Sequence, residues 1–255
     1  MIKELFRKIR VALTPRSSLL VTTLDNGAKV SGLNRSGYGG RGIYIFGDAL
    51  EPELAALSHF VKPGMVFVDI GANVGVFSMK AAKAVGPVGL VLSVEPFIGV
   101  AQQISRNIAL NGFRNVRLRN LCASGETTES KFYMNRGHPN SFSLHQEDQA
   151  DFLSVLCVTL DDLVKWEKLE RLDYLKIDAE GAEAQILAGA VETIKRFQPI
   201  IQVEIVIAQS GPTGDYLRFA AGESANRVYI PASNTAAIET ARSLGWSLDE
   251  DSVSN

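Results

Sequence analysis

Three short runs hold residue types that chemistry needs, each where a strand hands over to a turn. The first is Asp69-Ile70-Gly71-Ala72-Asn73-Val74-Gly75. Its glycines permit a tight turn and close backbone approach to a ligand, and a helix N-terminus with free N–H groups follows at once. Asn73 stands where the strict dinucleotide pattern GxGxxG has its middle glycine, so a merely structural strand-to-helix turn competes with a ligand site. The second run, Ser93-Val94-Glu95-Pro96, sets an acid 24 residues after Gly71. A carboxylate there accepts hydrogen bonds from ribose hydroxyls, the alternative being a solvated loop glutamate. The third, Lys176-Ile177-Asp178-Ala179-Glu180-Gly181, ends a strand in two carboxylates. Asp178 and Glu180 are the first candidates for a general base.

Other groups compete for that role. His138, in Asn135-Arg136-Gly137-His138-Pro139-Asn140-Ser141, has a suitable titration range, but a lone loop histidine also suits solvent. His59 and His145 have no supporting context. Glu183 falls in the first turn of a helix, where an acid compensates the helix dipole. Glu204 lies in the apolar strand run Gln202-Val203-Glu204-Ile205, where an unpaired carboxylate is costly. It either binds substrate or pairs with a buried cation such as Lys176. Asp178, Glu180 and Glu204 offer hard oxygen ligands to a divalent cation, but no His or second Asp pattern sharpens that reading, and no metal is assigned.

These runs need a scaffold that brings strand ends together. From Met65 the pattern alternates: apolar strand runs at Met65–Ile70, Gly89–Val94, Val116–Cys122, Phe152–Val158, Tyr174–Ile177 and Ile200–Ile205. Between them lie helical periodicities over Val74–Ala84, Ile98–Leu110, from Asp161, and through Leu187, Val191 and Ile194. Repeated β-α-β means a parallel sheet with helices on both faces and ligands at the strands' carboxyl ends. Residues 1–60 form a separate lead-in and 61–255 the main domain. In the lead-in, Ser18–Val30 reads as a hairpin turning at Asp25-Asn26-Gly27, Gly42–Phe46 as a strand and Glu51–Phe60 as a helix. Beyond Ile205, Ala208–Gly222 reads as a mobile loop or substrate cover, Asn226–Pro231 as a strand, Thr235–Leu244 as a helix, and Gly245-Trp246 as the opening of a last strand.

The bulk properties exclude several classes. Twenty-six basic and 28 acidic residues give net −2, without the basic excess of an obligate nucleic-acid binder. No apolar run is long enough to cross a bilayer. The two cysteines, Cys122 and Cys157, sit in apolar strand runs as buried thiols, which agrees with cytoplasmic residence. The opening MIKELFRKIRVAL is an amphipathic helix, with Leu5, Ile9 and Leu13 on one side and Lys3, Arg7, Lys8 and Arg10 around the other. It is expected to pack its apolar side onto the domain; contact with an anionic membrane surface is the second reading. A homo-oligomer stays open.

Taken together, PGMVFVDIGANVGVFSMKAA, VLSVEP, NIALNGFRNV, TLDDL and DYLKIDAEGAEAQILAGA resemble the FkbM-type methyltransferases over roughly Glu51 to Ile205. The resemblance implies a Rossmann-like class I methyltransferase fold, S-adenosylmethionine as cofactor, and methylation of a hydroxyl on a sugar, glycan or natural product. It implies that Asp69, Gly71, Ala72, Asn73 and Gly75 shape the methionine and ribose end and that Glu95, followed by Pro96, binds the ribose. Leu121-Cys122-Ala123-Ser124 would lie against adenine, and Asp178 would face the methionine portion or transfer zone. A small molecule or glycan is the implied acceptor. A nicotinamide-dependent oxidoreductase needs a true GxGxxG and a hydride-transfer constellation, and neither is found. A non-catalytic binding or scaffold protein with a degenerate pocket is the other alternative.

Overall fold

A computed structural model describes residues 2–35, 39–134, 142–143, 152–179, 181–204 and 211–249. His138, His145 and Glu180 lie outside the described residues. The chain runs α1 (Ile2–Leu13), β1 (Leu19–Thr23), β2 (Lys29–Leu33), α2 (Gly40–Phe46), α3 (Pro52–Phe60), β3 (Val66–Ile70), α4 (Val76–Val85), β4 (Leu90–Val94) and α5 (Ile98–Asn111). It continues with β5 (Val116–Arg119), β6 (Cys122–Ala123), β7 (Thr128–Met134), β8 (Phe142–Ser143), β9 (Phe152–Val158), α6 (Leu160–Trp166) and β10 (Tyr174–Ile177). The last elements are α7 (Glu183–Ala188), α8 (Val191–Phe197), β11 (Ile200–Glu204), β12 (Tyr216–Ala220), β13 (Asn226–Pro231), α9 (Thr235–Ser243) and β14 (Ser247–Leu248).

The main sheet has the order β14-β12-β13-β11-β10-β3-β4-β5. From β11 to β5 neighbours are parallel, as continuous apolar runs such as the fully buried Val66–Ile70 predict. β13 is antiparallel to both β11 and β12. It is the antiparallel strand inserted near the sheet edge that the resemblance implies and that the sequence alone leaves unplaced. Alternate side chains build two cores. Phe67, Val91 and Tyr174 pack with α3, α4 and α5 on one face. Val68, Leu92, Leu175 and Ile201 pack with α6, α7 and α8 on the other. The expected α/β architecture with helices on both faces is therefore observed.

Five readings need correction. Gly42–Phe46 is helical, not extended: its β-branched and aromatic residues favour a strand, but Gly40 packs backbone to backbone against Gly32 and buries Ile43 one turn on. The run Val116–Cys122 divides, because Asn120 leaves β5 to donate to the Glu95 and Pro96 carbonyls, at 2.8 Å each, and Cys122–Ala123 joins a second sheet beside β9. The helix through Leu187 and Ile194 breaks at Gly189, whose Cα lies against the Ser124 carbonyl; Asp161 then caps α8 by accepting from the Glu192 and Thr193 N–H groups. Ala208–Gly222 contains the paired strand β12, because Tyr216–Ala220 finds β13 and β14 on its two sides despite its glycine-rich approach. Finally, α1 does not pack by Leu5, Ile9 and Leu13. Val11 is buried, Arg7 donates to the Ile45 carbonyl, and Asn34 donates to the Val11 and Thr14 carbonyls, so the opposite side faces the domain.

The lead-in is bound to the sheet domain by polar anchors as well as apolar packing. Lys80 of α4, wholly buried, reaches Asp48 at 2.6 Å and Asp25 of the hairpin turn at 3.0 Å. Asn107 of α5 holds both the N–H and hydroxyl of Ser31 and donates to the Val74 carbonyl at 2.8 Å.

Candidate active site

At the carboxyl end of β3 the backbone turns through Gly71 (φ 70°), Asn73 (φ 51°) and Gly75 (φ 82°). Asparagine tolerates the left-handed region, which is why Asn73 serves where a dinucleotide pattern uses glycine. The Gly71 and Ala72 N–H groups both donate to the Val94 carbonyl, fastening this turn to β4. Gly71 also presses on the end of β10: a Cβ there would lie 1.7 Å from the Asp178 carbonyl oxygen. The glycine turn, the end of β4 and the end of β10 thus meet at one point.

Glu95 stands at that junction, only 8% exposed. Its Oε2 accepts from the Asn73 N–H at 3.0 Å and its Oε1 from the Phe97 N–H at 2.9 Å. Burial pushes its carboxyl up to about 7 in spite of those two donors. Two backbone bonds fix its orientation and leave each oxygen a lone pair for a ligand hydroxyl. Asn120, which no sequence signal singled out, holds the loop carrying Glu95 and Pro96 from the β5 side. Next to it, Leu121, Cys122 and Ala123 form a buried wall. Cys122 sits opposite Cys157 in the parallel pair, both thiols free, and contact with Cys157 together with burial keeps the Cys122 thiol protonated.

A polar stripe crosses the same sheet face. Asp69 is completely buried, accepting from the Ser78 hydroxyl at 2.5 Å, with Lys176 Nζ 3.7 Å away. Its partners are thus Ser78 of α4 and Lys176 of β10, within the sheet domain. Burial raises its carboxyl, with Lys176 and Ser78 opposing. Lys176 donates to Asp178 at 3.0 Å. Burial opposes the Lys176 charge, but Asp178, Asp69 and Glu51 together hold its ammonium above the ordinary lysine range. Asp178 keeps its side chain 39% exposed. Burial would raise it; Lys176 and a hydrogen bond from the Glu204 carboxyl outweigh that and hold it low. Glu204 thus stands in the same charged group as Lys176 and Asp178.

Asp178 and Glu204 line a cleft of about 440 Å³ with Glu51, Pro52, Glu223, Ser224 and Asn226. Burial raises the Glu51 carboxyl. Glu51 and Asn226 are absent from the sequence reading because they come from the lead-in and from β13, far from the glycine motif in the chain. Behind them Glu53, 1% exposed, takes a long hydrogen bond from Asn226 at 3.4 Å through one oxygen. Glu183 turns back instead, accepting from the Ala179 and Gly181 N–H groups at 2.8 and 3.2 Å, and so fixes the loop after β10. Among the described residues no cluster of His, Cys, Asp and Glu is arranged to hold a metal. A second cleft, about 540 Å³, opens at the opposite ends of the strands among His59, Leu172 and Asp173, away from these groups.

The family model for the methyltransferase FkbM domain matches residues 69–223, more than half the chain. Solved structures to which the chain is similar include methyltransferase FkbM from Methylobacillus flagellatus KT, at 16% identity and TM-score 0.44, covering 74% of this chain and 52% of that one. They include precorrin-6y C5,15-methyltransferase from Geobacter metallireducens GS-15, at 15% identity and TM-score 0.39, covering 77% and 73%. Fibrillarin from Aeropyrum pernix, solved with natively bound S-adenosyl-L-methionine, matches at 13% identity and TM-score 0.40, covering 89% and 84%. The chain spans about half the length of the Methylobacillus protein. No curated protein matches it.

Proposed function

This chain belongs to the FkbM methyltransferase family, and from that premise we propose that it transfers the methyl group of S-adenosylmethionine to a hydroxyl oxygen of a sugar, glycan or natural product. One observation carries the reading: Glu95 is locked by two backbone N–H groups beside the glycine turn, an arrangement that would let its free lone pairs accept from ribose hydroxyls. The fit extends on both sides. Leu121, Cys122 and Ala123 supply an apolar wall for adenine, and Asp178 supplies negative charge beside a sulfonium. Gly71, Ala72, Asn73 and Gly75 bring backbone close to the methionine end. When bound, the cofactor supplies an electrophilic methyl group on a cationic sulfur.

The remaining work belongs to the protein. An in-line displacement needs the acceptor oxygen aligned with the methyl group, and the cleft of Glu51, Asp178, Glu204 and Asn226 offers carboxylates and an amide to hold hydroxyls. The acceptor hydroxyl must also lose its proton, and an Asp178 carboxylate oxygen takes it. Lys176 keeps Asp178 ionised and correctly turned for that step. Glu180 and His138, the other candidates for the base, lie outside the described residues.

The test is transfer of labelled methyl from the cofactor to panels of hydroxylated glycans and natural products. With an acceptor in hand, Asp178→Asn is expected to lower kcat about a hundredfold or more, a larger loss than the one it causes in cofactor affinity. An equal loss of both would return Asp178 to a binding or folding role. Methylation confined to nitrogen or carbon acceptors would overturn the oxygen assignment.

A further inference from the structure

We infer that α1 lays its outward face on an anionic membrane surface. An amphipathic helix on a globular domain normally buries its apolar stripe and leaves charge to water. Here the arrangement is reversed. Leu5, Phe6, Ile9 and Leu13 are 60%, 68%, 48% and 81% exposed, and they fall on one side of the helix at i, i+1, i+4 and i+8 spacing. The side turned to the domain carries Val11 and Arg7, held by the Ile45 carbonyl and by Asn34. These bonds set the rotation of the helix, so the outward stripe is imposed by the fold. Phe46, 44% exposed, extends the patch beneath Lys8, whose ammonium lies 5.5 Å from its ring centre.

The charges select the occupant. The helix carries basic residues against a single acid, Glu4, which pairs with Lys8 at 2.6 Å; Arg7 is spent on the domain, and Lys8 and Arg10 remain exposed. The segment is therefore strongly cationic within a chain of net −2. Lys8 and Arg10 lie on either flank of the stripe, the placement in which long side chains reach lipid headgroups while leucine and phenylalanine enter the acyl boundary. A second copy docked through the same face would set one cationic helix against another. An anionic bilayer meets both the apolar stripe and its basic borders.

The experiment is co-sedimentation of the full chain with vesicles of phosphatidylcholine alone, or with roughly one-third phosphatidylglycerol, at low and high salt. The expected result is binding to the anionic vesicles that weakens as salt rises, with little binding to phosphatidylcholine alone. Phe6→Ser with Leu13→Ser should weaken it about a hundredfold, and Lys8→Gln with Arg10→Gln about tenfold. All four side chains are exposed, so the variants should keep the native melting temperature, which is measured alongside. Failure of the native chain to sediment with anionic vesicles would overturn the assignment. So would undiminished binding by the Phe6→Ser, Leu13→Ser variant. A dimer in light scattering that this variant dissolves, without vesicle binding, would assign the face to a second copy instead.

Discussion

Alanine at Gly71 is expected to cost about 4 kcal/mol or more of folding stability, enough to unfold a marginal domain. Two effects add. A left-handed φ of 70° is strained for alanine by about 1–2 kcal/mol. The larger part is the overlap of the new Cβ with the Asp178 carbonyl oxygen at 1.7 Å, which cannot be relieved by rotating a side chain. Either β10 must move from β3 or the turn must open, and each separates Asp178 from Glu95. Gly75→Ala is the control. Its φ is 82°, but the nearest contact for its Cβ is Ile104 at 3.4 Å, so about 1–2 kcal/mol is expected. Urea unfolding of the two variants checks the contrast, and equal losses would contradict the close approach of β3 and β10.

Lys176→Met is expected to destabilise the protein by about 3–5 kcal/mol near neutral pH. The methionine fits an apolar environment in which Lys176 already lies 5.0 Å from the Phe77 ring centre, so lost packing contributes little. The loss comes from Asp69, wholly buried and left with Ser78 as its partner. Its folded-state carboxyl is already raised above 3.8 and rises further without the ammonium. A raised carboxyl stabilises the fold when protonated, fully below its unfolded value, and loses that contribution as pH rises through the folded one. The variant's deficit should therefore shrink as pH falls. Asp69→Asn combined with Lys176→Met removes charge and countercharge together and should recover most of the loss. Unfolding curves for the two single variants and the double variant at two pH values decide it: a double variant as unstable as the sum of its parts would mean that the pair is not coupled.

The legible part of the fold was the part with local periodicity. Strands β3, β4, β9, β10 and β11 announce themselves as short apolar runs, and Asp69, Glu95 and Asp178 sit at or near strand ends where a parallel sheet must gather them. What escaped the sequence depended on contacts distant in the chain. The helical state of Gly40–Phe46 follows from a backbone contact with Gly32, and the break at Gly189 from Ser124. Asn226 joins the acidic cleft because β11 and β13 pair, with Glu204 opposite Asn226 in the register, and Glu51, the residue before α3, meets it there. The rotation of α1 was illegible for the same reason. Periodicity shows that a helix has an apolar stripe, whereas Arg7, Val11 and Asn34 decide which way it turns.

Calorimetric titration of the full chain with S-adenosylhomocysteine, at about pH 6 and about pH 8, measures whether Glu95 holds the cofactor's ribose. Ribose hydroxyls donate to an ionised Glu95, whose carboxyl titrates at about 7, so protonation competes with binding. One site of roughly micromolar affinity is expected at the higher pH, weaker by about tenfold at the lower. Glu95→Gln should weaken binding about a hundredfold and abolish most of the pH dependence. A folded native chain that gives no heat of binding at either pH, or a Glu95→Gln variant that binds as tightly as the native chain, would contradict the account.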